Sequence, residues 1–532
     1  MTTTAWTRTR FCFTATAVTA LALLVGGCSS SRSTAGSKSP LAGGTFKFSL
    51  PAPITSFNPY ASQMGLVMAN YAYDPLVNLS PTGELVSGLA SKWTATSRSA
   101  LFTLRKGITC ADGTVLTATD VARSLTYAAD PKNQLAGALL FLPSIPFTVT
   151  GNDRTGTVSV AMSAPYSFIA NTVGALPVVC PAGLKDPKSM GRASQGTGPY
   201  VLSSYGAGGP YKFTVRSGYS WGPGGAGTAE PGQPANVEVS VVQNTATVTN
   251  LLLAGRLDAA QVDGTDAARV DGHGFSTATA PTSLGMMFVN ERSGHATSNP
   301  AVRKALFAAL DRQQLANVIV GGHGSPAQDL TAKNAICHAD LAAANLPKGD
   351  SAQLLAADGW VRGAGGILTK DGQKLRIRIV TSPTLGATLS AVGELVVQTW
   401  KALGVDAQLV SEDQTALVKD MFQTSNFEIA LGSSPGFPNP AQYVSYFSGP
   451  ASPNGLNIGG VQNGEYLQLA RQALQTAGTA SCATWNQAVA SLFRNGDVMV
   501  IADGTQTWFG NKASFSLFLG LVPSPASLRL YK

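Results

Sequence analysis

Short alternating runs and longer amphipathic stretches follow one another along this chain. Thr45-Phe46-Lys47-Phe48-Ser49-Leu50 alternates polar with apolar at period 2, the pattern of a half-buried strand. Lys374, Arg376 and Arg378 alternate with Leu375, Ile377 and Ile379, which predicts a second strand with its cations on the wet face. Helix starts are also legible. Thr117 and Asp120 have capping-box spacing, so a helix is expected from there to about Ala129. Asn299 followed by Pro300 opens another, because proline's missing N–H costs nothing in a first turn. Its apolar positions Val302, Leu306, Ala309 and Leu310 share one face. A third helix is expected near Thr388 to Leu403, ending at Gly404 as a C-cap. No internal repeat is apparent, and strands mixed with helices predict an α/β or α+β body.

At 532 residues the chain is too long for one compact core, and two or three lobes are expected. Hydrophobic residues make up 44%, which excludes a mainly disordered, collagen-like or coiled-coil protein. Charged residues are only 12%, against roughly 25% in ordinary globular chains, so the surface is polar, uncharged and rich in glycine. The formal charge of +8 includes Arg8 and Arg10, which sit in a segment expected to be removed. No run of five or six basic residues occurs, and counterion-release binding to DNA needs aligned cations. Nucleic acid is therefore not an expected partner.

Residues 1–27 carry two arginines, then an apolar stretch from Phe11 to Val25 and small residues before Cys28, the plan of a secretory signal peptide. Leu24-Val25-Gly26-Gly27-Cys28 resembles a bacterial lipobox, which implies cleavage before Cys28 and lipidation of that cysteine. A plain transmembrane anchor is the alternative, although the apolar stretch is short of the roughly 18 residues that span a bilayer. Residues 28–43 are rich in serine and small side chains and read as a flexible tether. Cys12 leaves with the signal, so Cys110, Cys180, Cys337 and Cys482 remain for an oxidising compartment. Four cysteines allow three pairings, and spacing selects none of them.

Catalytic signals are weak. Gly432-Ser433-Ser434-Pro435-Gly436 matches the G-x-S-x-G nucleophile elbow, which would make Ser434 the nucleophile of an envelope-anchored serine hydrolase. The residue after that serine must donate a backbone N–H to the oxyanion, and Pro435 has none; Pro438 and Pro440 forbid the helix that should follow. His273, His295, His323 and His338 show no i,i+4 pairing and no metal-ligand spacing. The run Gly321-Gly322-His323-Gly324-Ser325-Pro326 has neither a P-loop ending nor a dinucleotide-binding context. A binding protein without cofactor, metal or catalytic residue is the expectation.

An ordered series of segments carries a resemblance. It starts with Ser56-Phe57-Asn58-Pro59-Tyr60 and Tyr73-Asp74-Pro75-Leu76-Val77-Asn78-Leu79, then residues 83–90 leading to Trp93, residues 102–108, Asp112-Gly113-Thr114 and residues 116–121. Gly196-Thr197-Gly198-Pro199-Tyr200, residues 253–258, Val302-Arg303-Lys304-Ala305-Leu306 and residues 352–360 ending in Trp360 complete it. Together they resemble the family 5 extracellular solute-binding proteins, the peptide and nickel receptors of ABC importers, over nearly the whole body. The resemblance implies an α/β, type II periplasmic binding protein-like fold: two lobes joined by a hinge, with an extra subdomain inserted in the first. The expected division is 44–75 for the first part of lobe I, 76–194 for the inserted subdomain, 195–285 for lobe I continued, 286–495 for lobe II and 496–532 for the return to lobe I. On that division, Cys110 with Cys180 and Cys337 with Cys482 would each stay within one lobe. The implied partners are a peptide or other small solute and the permease and ATPase subunits of the importer. The implied setting is a lipid-anchored monomer on the extracellular or periplasmic side of the cell membrane.

In oligopeptide-binding relatives a late cleft loop carries an aspartate that pairs with the peptide's free amine. Aligning on Pro440 puts Gly436 at that position, so the amine anchor is missing. Glu428 or Asp74 could replace it; otherwise the ligand is a blocked, modified or longer peptide held by its backbone, or a non-peptide solute such as a nickel chelate or haem. The candidate ligand-binding residues are Asn58, Pro59 and Tyr60 in the first lobe, facing Ser434, Gly436, Phe437 and Asn439. Tyr443, Tyr446 and Trp508 are further aromatic candidates.

Overall fold

The computed structural model describes residues 39–532 except 81–82, 134, 136–137, 139–141, 144, 207 and 263. The signal peptide, Cys28 and most of the tether therefore lie outside the described residues. Among the described residues, no helix is long and apolar enough to cross a membrane.

The spine of the body is a mixed eleven-stranded sheet. In strand Thr45–Leu50, Phe46 and Phe48 are fully buried and Lys47 is exposed, as period 2 requires, but Ser49 departs from the pattern and is buried with Leu50. That strand runs parallel to Asn236–Val241 on one side and meets Ala259 on the other. Tyr211–Val215 and Tyr200–Ser204 carry this first half of the sheet to its edge. The second half consists of Ile429–Gly432, Arg376–Thr381 and Asp406–Ser411, joined in parallel. Of the three cations predicted on one wet face, Arg376 is exposed and pairs with Asp406, and Lys374 belongs to a separate two-residue strand. Arg378 departs from the expectation: it is only about a third exposed, because Glu412 and Asp420 hold its guanidinium at 2.5 and 3.3 Å.

Two strands of 14 and 13 residues, Ser276–Val289 and Val498–Gly510, join the halves. Ordinary strands have about 5–6 residues, and the extra length lets this antiparallel pair serve both sides. Ala259–Gln261 of the first half pairs with residues 508–510, whereas Met286–Val289 pair with Ile429–Gly432 of the second. Pro281, Gly285 and Gly504 interrupt the stretch between, where proline and glycine weaken a ladder. Gly285 has φ +67°, and a Cβ there would stand 2.8 Å from Ile319 and Ile501, so only glycine fits this bend.

A separate antiparallel sheet, in the order Ala90–Ala95, Ser99–Leu104, Thr157–Met162, Phe147–Asn152, lies between residues 76 and 194. Helix Ala118–Ala129 packs on it and carries the full capping box, with both reciprocal Thr117–Asp120 bonds. Helix Pro300–Ala308 starts where Asn299 accepts from the Ala301 N–H, and helix Ala387–Leu403 ends at Gly404. The first half has an aromatic core built on Phe46, Phe48, Tyr71, Tyr211, Phe213 and Trp508. The inserted sheet and the second half share a continuous apolar core. Polar bonds tie them too: the Ser167 hydroxyl donates to the Ala473 carbonyl at 2.9 Å, and the Gly478 N–H donates to the Ser167 carbonyl at 2.7 Å. Sulfur–sulfur bonds join Cys110 to Cys180 and Cys337 to Cys482.

Candidate functional site

A cavity of about 440 Å³ opens where the long strands pass between the two halves of the sheet. Residues 278–283 and Gln506 of those strands form its base. The first half contributes Leu66 and Val67 from helix Gln63–Ala69, together with Phe515 and Leu517. That helix starts cleanly because the Ser62 hydroxyl accepts from the Gly65 N–H at 3.0 Å. The second half contributes Ala332, Asn334 and Ala335 and the loop Ser434–Pro438. These two segments brace each other, since the Ile336 N–H donates to the Pro438 carbonyl at 3.0 Å.

The two sides come together at the mouth. A Cβ on Gly83, from the inserted region, would lie 2.2 Å from the Asn334 carbonyl oxygen, so a larger residue would hold the backbones apart. A hairpin of Leu517–Phe518 with Val522–Pro523 supplies another part of the rim through Leu519, Gly520 and Leu521.

No described residue lining this cavity carries a charge. The nearest buried acid on the long strands, Asp503, stands opposite Ser283 and pairs with Lys333 at 3.3 Å. Side chains alternate along a strand, and Asp503 shares its face with Ile501, which meets the Gly285 bend beside Ile319. Ser283, the cross-strand neighbour of Asp503 on that face, lines the cavity together with Thr282 and Gln506 of the other face, and Lys333 lies between the lining residues Ala332 and Asn334, so this ion pair borders the cavity.

The sequence-derived candidates divide into lining residues and supports. Ser434, Gly436 and Phe437 line the cavity. The Ser434 hydroxyl accepts from the Gly436 N–H at 3.4 Å within an extended loop, so the serine does not lead directly into a helix as an elbow would. Contrary to the expectation that Pro440 forbids one, a short helical turn opens there, because proline is tolerated at a first helical position. Tyr443 and Tyr446 sit behind Phe437, their rings 5.0 and 5.5 Å from it. Tyr443 is fully buried, its hydroxyl donates to the Leu330 carbonyl at 2.9 Å, and burial pushes its phenol well above the usual range. Trp508 is 2% exposed and packs edge-on against Phe48 and against the lining residue Phe515, at 6.0 and 6.4 Å. Tyr443 and Trp508 are thus corrected from ligand-facing aromatics to the layer that fixes Phe437 and Phe515.

Asn439 is fully buried, with its amide donating to Gln442 at 2.8 Å. Tyr60 is also fully buried, held by the Ser124 hydroxyl at 3.0 Å and by the Pro177 carbonyl, and it faces the core of the inserted region. Asn58 and Pro59 close the turn before helix Gln63–Ala69: Asn58 Oδ1 accepts from the Tyr60 N–H at 3.0 Å. None of these four lines the cavity; the helix behind their turn reaches it instead.

Neither carboxylate considered as a substitute amine anchor reaches the site. Asp74 is buried and accepts from Tyr219, Thr197 and the Trp221 indole at 2.7, 2.8 and 3.1 Å. Burial pushes it up to about 6, with those three donors opposing the shift. Glu428 is engaged by His295 at 3.0 Å and by the Arg378 N–H at 2.8 Å. What the sequence missed is the hairpin tip at 519–521 and the base at 278–283. The one available signal was Leu519-Gly520-Leu521, an apolar turn where polar residues are usual.

Comparison with known proteins places this geometry. Residues 84–455 match the family model for bacterial extracellular solute-binding proteins, family 5 middle region. Protein XP55 of Streptomyces lividans is 31% identical over 330 residues, 57% of this chain and 55% of that protein. The chain spans about half the length of the curated relatives it matches. A substrate binding protein from Microbacterium hydrocarbonoxydans, solved with 4-hydroxybenzoate hydrazide, superposes with a TM-score of 0.72 at 24% identity, covering 91% of this chain and 99% of that one. The oligopeptide-binding protein AppA of Bacillus subtilis, solved with a nonapeptide, superposes with a TM-score of 0.73 at 18% identity, over 93% and 100% of the two chains. The long strand pair, the mixed sheet it joins and the cavity beside it are those of a type II periplasmic binding protein fold, and the chain belongs to the family 5 bacterial extracellular solute-binding proteins, which bind solutes and catalyse no reaction.

Proposed function

We propose that this chain is the lipid-anchored substrate-binding component of an ABC importer, which captures a peptide between its lobes and delivers it to a membrane permease. The observation that carries the reading is the cavity itself, bounded by both halves of the sheet and based on the strands that connect them. A ligand touching both sides binds the closed form better than the open one, and this differential affinity is what closes such a hinge. Pro281, Gly285 and Gly504 make the connecting strands the natural place for the bend. The closed form would then be the state a permease recognises, with Cys28 carrying the lipid that keeps the receptor at the membrane. A peptide's amides can be satisfied by main chain of the cleft in the manner of an added strand, so capture needs no charged anchor.

A second reading, a non-peptide solute in the same cleft, is favoured by the glycine where oligopeptide receptors carry an aspartate. The fold holds both kinds of ligand, as the nonapeptide complex of AppA and the hydrazide complex of the Microbacterium protein illustrate. Native mass spectrometry of the full chain in detergent, before and after mild denaturation, tests the proposal. Released peptide masses that carry blocked or modified ends are the expected result. A single non-peptide mass transfers the assignment to the second reading. No released molecule, together with no ligand that raises the melting temperature by mass action, would contradict capture altogether.

A further inference from the structure

Resting on the capture reading, we infer that the cleft takes an uncharged ligand with an apolar body, bearing neither a free ammonium nor a free carboxylate where the cavity encloses it. Leu66, Val67, Phe437, Phe515, Leu519 and Leu521 give the cavity its apolar wall. Its polar side chains are all neutral, among them Thr282, Ser434 and Gln506, and these can pair with hydroxyl and amide groups. A volume of about 440 Å³ lies within the roughly 300–1,000 Å³ of small-ligand sites.

An ion entering this space would lose its hydration without gaining a counter-charge, and desolvated ions are bound only where they are paired. The candidate counter-ions already have partners. Asp503, opposite the lining Ser283, is compensated by Lys333 at 3.3 Å, so that this pair at the cavity's border is neutral as a whole. Asp74 is surrounded by three donors, and Glu428 is bonded to His295 and Arg378.

The hairpin tip adds an independent observation. Leu519 has φ +49°, a backbone conformation that normally goes to glycine or asparagine, and it keeps a leucine there that is 36% exposed. Leu521, two residues on, is 37% exposed. Two half-exposed leucines on a tight turn, one at a strained position, are poor choices for a surface loop and good ones for a rim that covers an apolar ligand. They are the specificity-determining side chains of the inference.

The test is isothermal titration calorimetry on the full chain in detergent, after release of any retained ligand. The probes are one apolar tripeptide in two forms, N-acetylated and C-amidated or with free ends, and 4-hydroxybenzamide as a neutral non-peptide. The expected result is that a neutral probe binds at least tenfold more tightly than the free-ended peptide; which neutral probe wins separates a peptide source from a non-peptide one. Leu521→Asp is expected to weaken the favoured neutral probe at least tenfold, whereas Leu521→Asn, of similar shape without charge, weakens it only a few-fold. Both variants should melt within a few degrees of the parent when empty, since the side chain is already part-exposed. Tighter binding of the free-ended peptide, or equal losses for the Asp and Asn variants, would overturn the inference while leaving capture intact. If no probe binds and the released fraction contains no small molecule, the capture reading falls and takes the inference with it.

Discussion

Two depressions in this molecule handle charge in opposite ways. The cleft between the halves has no charged lining residue among those described. The other, an open hollow of about 810 Å³ on the second half, is lined by Glu291, Arg303, Lys304, Glu465 and Arg494. Arg303 is almost fully buried there, with Glu291 and Asp497 each 3.4 Å from its guanidinium and with the Thr297 and Ser298 carbonyls accepting at 2.9 and 3.2 Å. Asn463 and Asn495 also donate to Asp497, at 2.8 and 2.6 Å. Burial and the neighbouring Asp497 carboxylate raise Glu291, and burial raises Asp497. Buried charge thus appears where a rigid joint needs fixed partners, between helix Pro300–Ala308 and the turn entering strand Val498–Gly510. In the cleft, neutral groups avoid the desolvation penalty that an unpaired buried ion would carry.

The contrast can be broken most strongly at Arg303. Arg303→Met leaves two buried acids without a cation, and breaking a buried pair by removing one partner costs about 3–5 kcal/mol. Urea denaturation should show that loss, while Leu521→Ala at the cleft rim stays within about 1 kcal/mol of the parent. Equal effects would mean that the two depressions do not differ in structural role. Next in size are the cross-links. Replacing both cysteines of the Cys337–Cys482 bridge by alanine should cost about 2–5 kcal/mol. Its sequence separation of 145 residues, against 70 for Cys110–Cys180, makes its loss the larger of the two in the chain-entropy model. Parallel denaturation of the two double variants checks the order.

Asp74 sharpens the comparison from the first half, because it is a buried carboxylate with hydrogen-bond donors but no cation bonded to it. Its folded-state value of about 6 lies above the ordinary 3.8, so the native state binds the proton more tightly than the unfolded chain does. Stability should therefore fall as pH rises from about 4 to about 6, by on the order of 3 kcal/mol from this group, and stay lower above that range. In Asp74→Asn this part of the pH slope should vanish, whatever the variant's absolute stability. A slope unchanged by the substitution would assign the titration to another group.

Local structure was legible where a few adjacent residues decide it. Thr117 with Asp120, Asn299 with Pro300, and Gly404 each set a helix end through bonds or backbone geometry within one turn. The period-2 strand at Thr45–Leu50 is equally local. Arg378 was misread because its partners Glu412 and Asp420 lie more than thirty residues away. The site was only half legible for the same reason. Loop Ser434–Phe437 could be found by its place in the family pattern, but aromatic side chains do not reveal which of their two sides meets solvent. Tyr443 and Trp508 went inward to hold Phe437 and Phe515, and the turn at Asn58–Tyr60 served as the brace for the helix that reaches the cavity. Val302-Arg303-Lys304-Ala305-Leu306 gave a family signal whose physical content, a buried arginine joint, emerges only when Asp497 is brought beside it.

Closure of the cleft over a neutral solute is the proposal on which this comparison turns. A crystal structure of the full chain with the molecule it retains through purification tests it most directly. The solute is expected between Thr282, Phe437 and the Leu519–Leu521 turn, with no ionised group enclosed. A solute seated in the charged hollow beside Arg303, or one whose ammonium or carboxylate is buried in the cleft, would contradict it.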